Sequence, residues 1–214
     1  MTQRDVQDKP ESGGIKPCSP AKAVRRDKKP KIITPTYLHN AGLYYLQRFA
    51  ASTTQFRKIM ARKIDNSCRV HPEQDRDACL SMLDNLIEVF NRSGLLNDEV
   101  YATGTIRTLR QRGLSAQAIM AKMNSKGIVG SMTRRILNEI DANTIGNPQL
   151  VAALKHARRR RIGPFATEKS EPVDNQNRQR ELASLARGGF DFEIARQALD
   201  MDRDEALKLI VSSD

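Results

Sequence analysis

The chain has 214 residues, 36 lysines and arginines against 25 acids, a formal net charge of +11 and no tryptophan. No run approaches the roughly 18 uninterrupted apolar residues of a membrane span, and the first residues hold no apolar segment followed by a small-residue cleavage site. A cytoplasmic chain away from the membrane is therefore expected, and Cys18, Cys68 and Cys79, which share no metal-ligand spacing, are expected as reduced thiols, Cys79 in the core.

Residues 1–33 combine few apolar residues with scattered Pro and Gly and a basic cluster of Arg25, Arg26, Lys28, Lys29 and Lys31. Such a segment buries too little surface to offset chain entropy, so a disordered basic arm is expected. Order begins at Thr34-Pro35, an N-cap followed by proline at the first helical position. Leu38, Ala41, Tyr45 and Phe49 then recur at helical spacing, although Gly42 weakens that helix. Ser52 opens a second helix with Phe56, Ile59 and Met60 on one side and Arg57, Lys58, Arg62 and Lys63 on the other. A long connection is read over 65–74. Cys79, Met82, Leu83, Leu86, Ile87 and Phe90 follow the i, i+3, i+4, i+7 template of a third helix, which Gly94 ends. These elements make a first module over 34–96.

The second module, 97–146, repeats the plan. Asn97 caps a helix that Gly113 ends, and Leu96 and Tyr101 are spaced for a hydrophobic staple. Ser115 caps the next helix, closed by Gly127 and apolar Ile128 in Schellman style. Ser131 is read as the cap of a helix carrying Met132, Ile136, Leu137 and Ile140. The third module, 147–212, runs from Asn147-Pro148 through a basic helix to Gly163-Pro164. A polar linker near 167–177, a helix to Arg187, a helix from Asp191 and a short helix after Asp202 follow.

Aligning the caps exposes an internal repeat. Ser52, Phe56 and Met60 stand as Ser115, Ile119 and Met123 do, and as Asp191, Ala195 and Leu199 do. Each set is a cap with apolar residues four and eight positions later on one helix face. With no β-branched alternating runs, the fold class is all-α, read as three tandem three-helix modules. Each is too small for much core of its own, so neighbours are expected to stack as in a short solenoid.

The positive charge is segregated. Residues 36–64 hold Arg48, Arg57, Lys58, Arg62 and Lys63 without an acid; 100–138 hold Arg107, Arg110, Arg112, Lys122, Lys126, Arg134 and Arg135; 142–167 hold Lys155 and Arg158 to Arg161. Solvated helix faces account for any one stretch, but three together favour a positive face directed at a polyanion or an acidic partner. Chemistry is scarce by contrast. His39, His71 and His156 lie far apart, none at ligand spacing from a Cys or carboxylate. Neither a phosphate-cradling Gly motif nor a nucleophile elbow is present, and Asp98-Glu99 suits a helix start, where acids complement the dipole. No catalytic, metal or cofactor site is expected, and an enzyme is disfavoured.

Over residues 35–212 the chain resembles the RecX family, bacterial regulators of the RecA recombinase. The signatures are Tyr37-Leu38, Tyr45-Leu46, Ala51-Ser52 and Phe56-Arg57-Lys58-Ile59, then Gly94-Leu95-Leu96-Asn97-Asp98-Glu99 with Tyr101-Ala102. Arg107, Arg112-Gly113, Ser115, Ile119 and Lys126-Gly127-Ile128 follow in order. Ala157 to Phe165 (with Arg158-Arg159-Arg160-Arg161 inside) and Leu185-Ala186-Arg187-Gly188-Gly189-Phe190 complete the set. Asn97-Asp98 stands where the family often has two acids, and the N-terminal arm has no obvious counterpart.

The resemblance implies an elongated, curved, cytoplasmic array of three-helix modules lying in the groove of the RecA–DNA filament. It implies a monomeric modulator, inhibitory in direction, that lowers recombinase, ATPase and coprotease activities. Single- and double-stranded DNA would be met through phosphate contacts, with salt-sensitive affinity. The expected partner contacts are Arg57, Lys58, Arg107, Arg110, Arg112, Lys122, Arg134, Arg158 and Arg161, and Arg107 and Arg110 are close enough on one helix to pack through their stems instead. Few aromatics lie in the basic stretches, which speaks against base stacking as the main mode. The alternative is a helix-turn-helix transcriptional regulator, suggested by the short glycine turns at Gly113 and Gly189.

Overall fold

A computed structural model describes residues 29–166 and 175–213. Among them are α1 (Pro35–Leu46), α2 (Thr53–Val70), α3 (Arg76–Arg92), α4 (Asp98–Gln111), α5 (Ala116–Ser125) and α6 (Gly130–Asp141). Then come α7 (Pro148–Arg160), a 3-10 turn over Gly163–Phe165, α8 (Asn175–Arg187), α9 (Phe192–Asp200) and α10 (Arg203–Val211). No strand occurs among the described residues, so the fold is all-α.

The helices begin where side chains satisfy their first orphan N–H groups. Thr34, Ser52, Asn97, Ser115, Asn147 and Asp202 each accept a backbone N–H of the first turn. Ser131 does not: α6 starts at Gly130, after a Val129 that makes no side-chain cap bond. The connection read over 65–74 is also shorter than its polarity suggests, because α2 runs on to Val70. Its last turns find a covering partner in the chain before α1. Ile33 is buried, the Gln74 amide pairs with both the N–H and the carbonyl of Ile33, and Ser67 donates to the Lys31 carbonyl at 2.8 Å. Residues 30–33 are thus held against α2 and α3 rather than belonging to a loose arm; residues 1–28 of that arm lie outside the described residues. So does the linker over 167–174, while 175–177, also read as linker, open α8.

Buried apolar residues fall into three clusters. One joins α1, α2 and α3 around Phe56 and Phe90, both fully buried with ring centroids 5.8 Å apart. Truncating such a ring to alanine costs about 3–5 kcal/mol. Gly42 has its place here: a Cβ on it would stand 2.9 Å from the Phe90 ring and 3.0 Å from Phe56. A second cluster joins α4, α5 and α6 around Ile106, Ile119, Met123 and Ile136. The third gathers α7 to α10 and the 3-10 turn. The repeated pairs Phe56/Met60, Ile119/Met123 and Ala195/Leu199 lie in the first, second and third clusters respectively.

The third unit carries one helix more than the other two. If Asp191 at the start of α9 corresponds to Ser115 at the start of α5, then α8 and α10 correspond to α4 and α6 by their order and α7 is the addition. It packs chiefly on α9, and also on α10, α8 and α4. Leu150, Val151, Ala152, Ala153, Leu154, His156 and Ala157 are all buried, a helix covered nearly all round along its first turns.

Consecutive units meet through the caps of their middle helices. The Ser52 hydroxyl donates to the Lys126 carbonyl at 2.5 Å, and the Thr53 N–H to the Asp98 carboxylate at 2.7 Å. One unit further on, the Ser115 hydroxyl donates to the Gly188 carbonyl at 2.6 Å. In both joints the accepting carbonyl precedes a glycine in the left-handed region, Gly127 (φ 78°) or Gly189 (φ 80°). A Cβ at Gly127 would come within 2.3 Å of the Thr54 hydroxyl, and one at Gly189 within 2.7 Å of the Ser115 hydroxyl. Glycine is therefore required twice over, by conformation and by proximity.

Candidate functional site

The basic residues separate into those held by the fold and those it presents. Arg110 belongs to the first kind and is withdrawn from the expected contact surface. Its side chain is 7% exposed, with Nε and Nη2 bonded to the two Asp141 carboxylate oxygens at 2.8 and 2.6 Å. Nη1 donates to the Leu114 carbonyl at 2.9 Å. Burying a guanidinium in this way requires such full pairing. Arg57 is intermediate: it makes a bidentate pair with Asp84 of α3 but stays half exposed. That pairing holds the Asp84 carboxyl below the usual carboxylate range. Arg135 bridges Glu99 and Glu139, and Arg159 donates to the Arg112 carbonyl at the end of α4. Glu99 and Asp98 thus both serve structural contacts.

Lys58, Arg107, Arg112, Lys122, Arg134, Arg158 and Arg161 are exposed. Lys58 lies with Arg62 and Lys126 along a cleft of about 330 Å³ between α2 and the end of α5. Arg107 and Lys155 line a second cleft, of about 220 Å³, between the second and third units, with Arg110 beside them. Among the described residues no carboxylate lines either cleft. Arg112 borders instead a largely apolar cleft of about 590 Å³ between the first two units, with Leu46, Phe49, Leu95 and Val100. Arg158 sits in the last turn of α7, where a cation complements the helix dipole. Arg161 follows it in the left-handed region at φ 55°, the one described non-glycine residue there.

Arg62, Lys126 and Lys155 were not singled out as contacts by sequence reasoning. Lys58 and Arg62 are i, i+4 neighbours, which the sequence does show, but Lys126 reaches them only through the joint made by Ser52. Among the described residues no group of three or more His, Cys, Asp or Glu could hold a metal ion, and no helix is long and apolar enough to cross a membrane. His39 stacks edge-on against Phe90 and His156 against Phe190, in different cores. Burial foremost, and then Arg159 and Arg160, push the His156 imidazole below its ordinary range, so it is held neutral.

No family model matches the chain. It is 36% identical over 179 residues to the regulatory protein RecX of Myxococcus xanthus, an alignment covering 84% of this chain and 92% of that one. The chain belongs to the RecX family. The RecX regulatory protein of Agrobacterium fabrum is 29% identical over 172 residues, covering 80% of this chain and 86% of its own. The crystal structure of RecX from Lactobacillus salivarius superposes with a TM-score of 0.51 at 18% identity, over 83% of this chain and 96% of that one. The fold is accordingly a RecX fold, and the curated relatives are named as regulatory proteins.

Proposed function

We propose that this RecX-family chain is a modulator of the RecA recombinase that binds the RecA–DNA filament and lowers its recombinase, ATPase and coprotease activities. The observation that carries the reading is the pair of inter-unit clefts lined by cations with no carboxylate among the described lining residues: Lys58, Arg62 and Lys126 in one, Arg107 in the other. A filament groove offers phosphates and acidic protein surface together, and cations repeated along successive units suit such a long polyanionic track. The protein would act in the cytoplasm as a monomer without a cofactor. Arg112, Lys122, Arg134, Arg158 and Arg161 extend the proposed contact surface, and Arg57 contributes only where a phosphate displaces Asp84.

The helix-turn-helix alternative loses its footing in the joints. Gly113, at one of the short turns that suggested it, lies so close to α7 that a Cβ would stand 2.8 Å from the Ala152 carbonyl. Gly189, at the other, is packed on Ser115. Titration of the protein into a RecA ATPase assay on single-stranded DNA tests the proposal. Progressive loss of hydrolysis is expected, and unchanged hydrolysis at saturating protein would overturn it.

A further inference from the structure

The cleft along α1 differs in chemistry from the two cationic clefts. It measures about 410 Å³ and is lined by Tyr37, Tyr44, Tyr45 and Phe49 together with Lys31, Arg48 and Lys63, with no carboxylate among the described lining residues. That volume lies within the roughly 300–1,000 Å³ of ordinary ligand pockets. Three of the four tyrosines in the chain therefore share one surface site, so the scarcity of aromatics expected of the basic stretches does not hold for 36–64. Tyr37 and Tyr45 also pack against the first core, so part of their presence is structural. Tyr44 and Phe49 are different. They remain 60% and 56% exposed and take no part in that core. The Arg48 guanidinium lies over the Tyr44 ring, 4.8 Å from its centroid, and donates to the Tyr44 hydroxyl at 2.7 Å. The Tyr45 and Phe49 rings lie 5.3 Å apart.

We propose that this cleft is a stacking site for unpaired bases of single-stranded nucleic acid, with Tyr44 and Phe49 as the base platforms and Lys31, Arg48 and Lys63 as the phosphate contacts. Exposed rings interleaved with cations, and no acid, are complementary to a strand that offers π-faces and phosphates alternately. A duplex keeps its base faces stacked within itself and can use only the cations. An apolar protein segment would leave three cations without partners. The site is separate from the cationic clefts, and its test needs DNA alone, so its failure leaves the recombinase reading standing.

Binding of the full chain to a single-stranded 12-mer, an abasic strand of the same length and charge, and the corresponding duplex separates stacking from charge. One stacked base corresponds to about a 5- to 150-fold preference for the intact strand over the abasic one. Tyr44→Ala with Phe49→Ala should bring the intact strand down to the abasic level and leave abasic binding unchanged. Tyr44→Phe, which keeps the ring, should retain the preference. Lys58→Glu with Arg62→Glu, in the neighbouring cleft, should weaken the intact and abasic strands alike. Equal binding of intact and abasic strands by the unmodified protein overturns the proposal, as does an undiminished preference in the double alanine variant. Loss of filament binding in that variant with its base preference intact would assign the cleft to a protein segment and equally overturn it.

Discussion

Ser52 and Ser115 occupy the same station in consecutive units, and each uses its hydroxyl in two directions at once. As acceptors they cap α2 and α5, taking the N–H of Gln55 at 3.2 Å and of Ala118 at 3.1 Å. As donors they bond a carbonyl of the following unit, Lys126 for Ser52 and Gly188 for Ser115. Both residues are fully buried. A hydroxyl has one proton and two lone pairs, so serine meets both demands where an aspartate, ionised and acceptor-only, could meet only the first. The third station bears this out: Asp191 begins α9 at the same place, is exposed, and caps nothing with its side chain.

Replacing either serine with alanine should therefore cost more than a cap alone. A lost cap is worth about 0.5–2 kcal/mol, and a buried carbonyl left unpaired adds roughly 1–3 kcal/mol. Asn97→Ala, which removes a cap bond on an exposed residue, supplies the comparison. Urea unfolding should rank Ser52→Ala and Ser115→Ala clearly below Asn97→Ala. Equal losses would mean that the bonds across the joints contribute nothing net.

Arg107 and Arg110, three residues apart on α4, should respond in opposite ways. Arg110→Ala leaves the half-buried Asp141 without its partner and should destabilise the fold by roughly 3 kcal/mol. Arg107→Ala should leave stability within about 0.5 kcal/mol, as surface changes do, while weakening DNA binding. The joint replacement Arg110→Met with Asp141→Leu should recover much of the lost stability, because no uncompensated charge remains. A stability loss from Arg107→Ala matching that from Arg110→Ala contradicts this division.

The sequence made these two arginines indistinguishable, and the reason is physical. Periodicity reports which side of a helix is apolar, and it placed Phe56, Met60, Ile119 and Met123 in the core as found. It cannot report which polar residue a neighbouring helix will cover. Arg110 is buried by Asp141 and the Leu114 carbonyl, groups read as ordinary surface and turn. The same limit concealed the stacking cleft, whose tyrosines come from α1, whose Phe49 follows that helix and whose Lys63 comes from α2. Caps were legible because their chemistry is local; Ser131 misled because a serine in the first turn differs from a cap by only two positions. The close of the arm at residues 30–33 was hidden for a similar reason, since its partners Ser67 and Gln74 lie some 36 to 41 residues away.

His156 sets a pH dependence of stability. Its Nδ1 faces Arg159 at 3.4 Å and its buried Nε2 has no partner among the described residues. Burial and the neighbouring Arg159 and Arg160 lower the folded-state pKa below the unfolded value of about 6.5. The unfolded chain then binds the proton first as pH falls. Stability is complete above about pH 6.5 and declines as pH drops toward the folded-state pKa. Urea midpoints from pH 8 to pH 5 should fall more steeply for the parent chain than for His156→Leu. Carboxylates such as Asp84 and Asp202, also lowered, titrate in both proteins and cancel. Parallel profiles would remove His156 as the source.

The cationic clefts predict a graded response to salt. Charge reversal at Lys58, Arg62 and Lys126, or at Arg107, should lower DNA affinity evenly across sequences, with the salt slope falling by about one for each phosphate no longer neutralised. Reversal at the exposed acids Glu88 and Glu205 supplies the control and should weaken neither DNA binding nor RecA inhibition. Losses of RecA inhibition that are equal in the two sets, or confined to the acidic one, would make the basic clefts ordinary solvated surface.

Arg161 offers a position where stability and binding should move apart. It stands at φ 55°, ψ 48°, where the chain reverses after α7 and the Ile162 N–H closes on the Ala157 carbonyl at 3.1 Å. Helices usually place glycine there, because a Cβ in the left-handed region costs about 1–2 kcal/mol. Arg161→Gly removes that strain but gives the unfolded chain more freedom, which offsets about 0.4–1 kcal/mol. A net gain of up to about 1 kcal/mol is expected in urea unfolding, together with weaker DNA binding and a salt slope lower by about one. Retention of a strained arginine would then reflect its contact with the partner. If Arg161→Gly instead destabilises the chain, the side chain supports the fold, and Arg161 leaves the proposed contact surface as Arg110 has.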